Sequence, residues 1–96
     1  SRINLQGSNL RNINLDHARL QYSNLMGCDL SHTSLQSAML RRTNLRECKL
    51  NYANFKNANL QNANLHHASI YATSFEGANL EGAIWINGAK CKSGSI

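Results

Sequence analysis

Ninety-six residues allow one small domain, and ten Lys and Arg against five Asp and Glu leave it with a net charge of +5. Asn, at 14 copies, outnumbers Leu at 13, which argues against a helix bundle because Asn competes for backbone groups in helix interiors. The absence of Val argues against a β-sandwich. No apolar run approaches a membrane span and no charged-then-apolar leader opens the chain, so neither a transmembrane segment nor a signal peptide is expected. The opening Ser1-Arg2-Ile3 has no Met, which suggests a processed or excised piece.

From Leu5 to Leu80 every fifth residue is large and apolar, with Phe55, Ile70 and Phe75 standing in for Leu. Two residues before each lies a small or modestly apolar one such as Ala18, Cys28, Thr43, Cys48 or Ala58, and a polar residue, most often Asn, separates the two. Steps of five rotate by about 140° each on an α-helix, so these leucines would circle the axis instead of making one stripe. On a strand, residues two apart share a face, which pairs Ala58 with Leu60 but would throw Leu65 to the other side. The chain keeps every Leu inside only by turning once per unit, and each pentapeptide reads as a short extended piece plus a corner.

Two residues after the apolar position, Gly or Asn recurs at Gly7, Asn12, Gly27, Asn57, Asn62, Gly77, Gly82 and Asn87. These tolerate the positive φ of a type II turn. His17, Tyr22, Ser37, Arg42 and Glu47 hold the same slot, so such turns are expected at only part of the corners. At a lag of twenty Cys28 meets Cys48, Phe55 meets Phe75, and Asn4, Asn24, Asn44 and Asn64 align, whereas lags of fifteen and twenty-five mismatch the rarer residues. Four units per coil follow, with Phe55 stacked on Phe75 inside, Cys28 beside Cys48 as small fillers, and the Asn column bonding amide to amide.

The Ala-Asn-Leu-x-x rhythm, carried over residues 3 to about 83, resembles the pentapeptide-repeat family. The resemblance implies an all-β fold: a right-handed quadrilateral parallel β-helix, a solenoid of about four coils of four pentapeptides. At about 4.8 Å per coil this is a rod roughly 19 Å long. The expected division is a repeat domain over 1–83 and a C-terminal cap or tail over 84–96. In the tail, Ile84, Trp85 and Ile86 read as a plug or a homodimer contact, because an open coil leaves apolar side chains and unpaired backbone bare. The Trp-x-Asn-Gly-x-x-Cys ending also resembles that of some bacterial members, in which another cysteine can follow Cys91.

Catalysis finds no support. His17, His32, His66 and His67 fall in outward or corner slots and do not converge, and His66-His67 as a metal pair fails because adjacent corner residues point apart. No cofactor and no metal is expected, and the chain reads as a non-enzyme. The function expected is a rigid β-helical module for protein–protein interaction or structure. The alternative is a DNA-mimic inhibitor of DNA gyrase, as the resemblance implies for some members, although mimicry needs dense negative charge. A further alternative is nucleic-acid binding through a basic third coil with Arg41, Arg42, Arg46, Lys49 and Lys56, and with Tyr22, Tyr52 or Tyr71 to stack bases. Tyr22, Met26, Met39, Arg41, Arg42 and Arg46 make the expected partner site, with Arg42 over Tyr22 as a cation–π pair. A protein partner is expected, a membrane is not, and nucleic acid is disfavoured. Cytoplasm is favoured over periplasm.

Overall fold

A computed structural model describes residues 2–92. The chain winds back over itself every twenty residues, giving circuits 2–20, 21–40, 41–60 and 61–80, and then a returning tail. Bridges such as Asn4 to Asn24, Asn24 to Asn44 and Asn44 to Asn64 are parallel and twenty residues apart. The one exception among the described residues is an antiparallel bridge from Ile84 to Lys90.

The hydrogen bonds explain why five residues make a closed unit. The Leu25 N–H donates to the Asn44 carbonyl at 2.8 Å, and the Asn44 N–H donates to the Ser23 carbonyl at 2.9 Å. At the corner the Gly27 N–H donates to the Arg46 carbonyl, and the Cys28 N–H turns back to the Leu25 carbonyl. The Leu carbonyl then has a second lone pair, and the small slot fills it. Thr43 Oγ1 donates to the Leu20 carbonyl at 2.7 Å, and Cys48 Sγ to the Leu25 carbonyl at 2.9 Å. Thr33, Thr73 and Cys28 do the same for Leu10, Leu50 and Leu5. Thr and Cys therefore fit this slot as donors as well as fillers, which satisfies a carbonyl that water cannot reach.

The corners are more uniform than the sequence suggests. Every residue two places after a core position, from Gly7 to Gly82, has φ between 56° and 74°, including His17, Tyr22, Ser37, Arg42, Glu47 and Ala72. The expectation that only Gly and Asn corners turn this way is overturned. A non-Gly residue costs roughly 1–2 kcal/mol there, and the interlocking bonds offset it. The Tyr22 N–H, for instance, reaches the Arg41 carbonyl at 3.0 Å and the Glu47 N–H the His66 carbonyl at 3.0 Å.

The Asn column also behaves differently from expectation. Instead of bonding one another, Asn4, Asn24, Asn44 and Asn64 each accept on Oδ1 from the backbone N–H two residues on, at 3.0–3.2 Å. Each Asn caps its own corner, the local bond for which Asn is favoured in turns. Asn9, Asn14, Asn54, Asn59 and Asn79 repeat it.

Inside, Leu25, Leu30, Leu35, Leu40, Leu45, Leu50, Phe55, Leu60 and Leu65 are fully buried. Phe55 and Phe75 stack with centroids 5.2 Å apart and planes at 6°. Trp85 meets Phe75 edge-on at 5.4 Å, while Gly82 and Ala83 exchange backbone bonds with Cys91. Half-buried Ile84, Trp85 and Ile86 thus lie in a tail folded back on the last circuit. Residues 93–96 of the expected 84–96 tail lie outside the described residues, as does Ser1 of the expected 1–83 domain.

The expected all-β, right-handed quadrilateral β-helix rod is corrected. Among the described residues there is no helix and no continuous strand or sheet, only single-residue bridges. The principal extents of 30 × 25 × 21 Å belong to a compact body rather than an elongated solenoid. The physical reason lies in the unit: two of five residues turn the corner and two point inward around one bridging residue, so extended runs never develop. Four levels at about 4.8 Å are also no taller than the body is wide. The reading as a rigid β-helical interaction or structural module is withdrawn with the rod, since no continuous sheet supplies such faces.

Candidate interaction surface

The third circuit gathers Arg41, Arg42, Arg46, Lys49 and Lys56 with Glu47 as its one carboxylate. Arg41 and Arg42 sit at the corner directly above Tyr22, whose N–H bonds the Arg41 carbonyl. Tyr22 is 39% exposed and Met39, on the adjoining face, 42%. The cation–π pair expected for Arg42 forms instead with Arg2, whose guanidinium lies 5.2 Å from the Tyr22 centroid. Arg41 Nη1 donates to the Tyr22 hydroxyl at 3.4 Å.

Met26 and Arg46 stack at the next corner, one pentapeptide on from Tyr22 and Arg41–Arg42, where the Gly27 N–H bonds the Arg46 carbonyl. The expected partner residues therefore fall into two groups, one at each end of the face that carries Asn24 and Asn44. Arg46 is half-buried, and its Nε has no hydrogen-bond partner. Arg11 pairs with Asp29 at 3.5 Å, and the Asp29 carboxyl is held below its ordinary range, chiefly by the Ser31 hydroxyl.

Two arrangements escape the sequence reading. The rings of His66 and His67 do not point apart; they stack at 3.8 Å with 24° between planes. They find no third ligand, since no group of three His, Cys, Asp or Glu among the described residues could hold a metal ion. Also, His32, Tyr52 and Tyr71 come together on one corner. The lag of twenty from His32 to Tyr52 marks part of this corner in the sequence, but Tyr71 is one residue out of phase.

The thiols are inert by position. Cys28, Cys48 and Cys91 are buried and free. Desolvation pushes the Cys48 thiol up to about 12 and raises Cys28 and Cys91 as well. A protonated, buried thiol is neither a nucleophile nor a metal ligand.

With this geometry the comparisons with known proteins agree. A family profile described as "Pentapeptide repeat region" matches residues 1–75. The chain belongs to the pentapeptide-repeat family. No curated protein matches it.

Among solved structures it is similar to QnrB1, a plasmid-mediated fluoroquinolone resistance protein. The TM-score is 0.66 and the identity 21%, over 82% of this chain and 42% of that one. At that identity the likeness is one of fold alone. HetL, involved in heterocyst differentiation regulation in the cyanobacterium Nostoc sp. strain PCC 7120, is 27% identical over 92% of this chain and 53% of its own, at a TM-score of 0.47. Rfr23 from the cyanobacterium Cyanothece 51142 is 26% identical, covering 84% and 82%, at 0.46. The pentapeptide-repeat chain thus spans about half the length of the first two. No helix among its described residues is long and apolar enough to cross a membrane.

Proposed function

We propose that this pentapeptide-repeat protein is a non-enzymatic inhibitor of a gyrase-class DNA topoisomerase. The observation that carries the reading is the likeness in fold to a fluoroquinolone resistance protein over 82% of the chain. Charge shapes how such a contact is made. A duplex mimic needs rows of negative charge, and five carboxylates stand here against ten Lys and Arg. Shape and the arginine corner, rather than acidic rows, then carry the contact. Tyr22, Met39, Arg41 and Arg42 form one half of it, and Met26 with Arg46 the other, a mixed composition of Tyr, Met and Arg common at interface centres.

A supercoiling assay with purified gyrase, run with and without a fluoroquinolone, tests this. The protein in excess should slow supercoiling and reduce drug-stabilised DNA cleavage, and Arg41→Glu with Arg42→Glu should relieve both. Unchanged supercoiling and cleavage at excess protein would end the reading.

A further inference from the structure

Half a circuit away from the Tyr22–Arg42 corner, another corner carries rings on three successive circuits. His32 and Tyr52 stack with centroids 4.7 Å apart and planes at 6°. Tyr71 meets Tyr52 edge-on at 5.6 Å and 79°. Tyr52 is 51% exposed and Tyr71 71%, and His32 is exposed with them. Aromatic rings in contact are partly immobilised before any ligand arrives, which lowers the ordering cost of a ligand that stacks on them. Tyr71, turned across its neighbour and the most open of the three, leaves a ring face to solvent.

Charge stands on both sides. Lys49 precedes Tyr52 by three residues and Lys56 follows it by four; both are exposed, and Lys49 attracts the Asp29 carboxyl one circuit below without closing an ion pair with it. Open π-faces flanked by exposed cations suit an anionic polymer with flat, unpaired rings. A neutral sugar leaves the lysines idle, and a duplex keeps its base faces stacked on one another. The 4.7 Å between His32 and Tyr52 admits no base between them, so a base is received on the open face of Tyr71 and along the outer edge of Tyr52.

We propose that the His32–Tyr52–Tyr71 corner is a stacking platform for the bases of a single-stranded nucleic acid, with Lys49 and Lys56 meeting its phosphates. It is independent of the topoisomerase contact, which uses other corners.

Fluorescence anisotropy of a labelled oligothymidylate of about 20 nucleotides tests it. The protein should bind with an affinity that falls as salt rises. Tyr52→Ala with Tyr71→Ala should weaken binding roughly tenfold or more, from about 1–3 kcal/mol per stacked base. Tyr52→Phe with Tyr71→Phe should retain it, and Lys49→Glu with Lys56→Glu should weaken it and flatten the salt dependence. A duplex of equal length should bind more weakly. No binding at low salt, an Ala pair that binds as the parent does, or a preference for duplex would overturn the proposal. Circular dichroism checks that the Ala pair stays folded; if it does not, the Phe and Lys pairs still decide.

Discussion

Asp16 on the first circuit caps the corner of the second: its Oδ1 accepts from the Gln36 N–H at 2.8 Å and from the Ser34 hydroxyl. Ser34 sits where most units have Asn, and its short side chain does not cap the corner itself. The circuit below supplies the acceptor. Asn51 does the same for the Tyr71 N–H at 2.8 Å, where Ser69 replaces Asn. Asp16→Ala should therefore destabilise the protein by about 1 kcal/mol or somewhat more, the cost of orphaning a part-buried donor. Ser34→Asn should restore most of that loss in the Asp16→Ala background and gain little in the parent. Urea midpoints of the four proteins measure the coupling, and additive losses would show that Asp16 is no cap.

Cys48 offers a pH-dependent test. Its thiol is pushed to about 12 when folded, from an ordinary 9.0, by desolvation first and by Cys28 nearby. The folded state holds this proton more tightly than the unfolded state does. The stabilising contribution is therefore complete below pH 9 and is lost as pH rises from there towards 12. The melting temperature should fall across that window, and less so in Cys48→Thr. Thr keeps a donor for the Leu25 carbonyl, as Thr43 does for Leu20. The native Cys48 thiol should also resist alkylation at pH 8 until denaturant is added. Labelling as fast as a free thiol would contradict its burial.

Two glycines separate backbone conformation from crowding. Gly27 and Gly77 share φ of +70°, but a methyl on Gly27 meets nothing within 4 Å, whereas on Gly77 it runs into Asn57 Oδ1 from the circuit below. Gly27→Ala should cost only the left-handed penalty of about 1–2 kcal/mol. Gly77→Ala should cost more, and Asn57→Gly in the same chain should bring the two substitutions level. Thermal melts of the set compare them, and equal losses without the Asn57 change would remove the crowding argument.

What could be read in the sequence was what repeats with a large chemical contrast. The Leu ladder, the small slot, the twenty-residue lag and the Phe55–Phe75 stack follow from burial, which selects residue type strongly at every level. The uniform positive φ was hidden because the next circuit's carbonyls hold Tyr22, Arg42 and Glu47 in a conformation their own preferences oppose. Periodicity identifies the Asn column but not whether its amides bond along the column or within their own units, and here they bond within. Overall shape was missed because coil count gives height but not the width against which height must be judged. At the surface, His32, Tyr52 and Tyr71 assemble through a corner offset that a strict lag of twenty passes over.

The core stack sets the largest expected effect. Phe55 is fully buried, while its partner Phe75 is half-buried beneath the returning tail. Phe55→Ala should cost about 3–5 kcal/mol, the range for a buried aromatic truncated to leave a cavity. Phe75→Ala should cost less, since the ring is already partly in water and Trp85, 5.4 Å away, can settle into the space. Phe75→Ala should also increase the quantum yield change of Trp85 on exposure to a soluble quencher, because its edge-on contact is gone. Phe55→Ala should leave that quenching nearly as it was in the folded protein. Denaturation curves give the order of the two losses and quenching gives their location. A larger loss at Phe75 than at Phe55 would mean that the tail, and not the third circuit, anchors the axis.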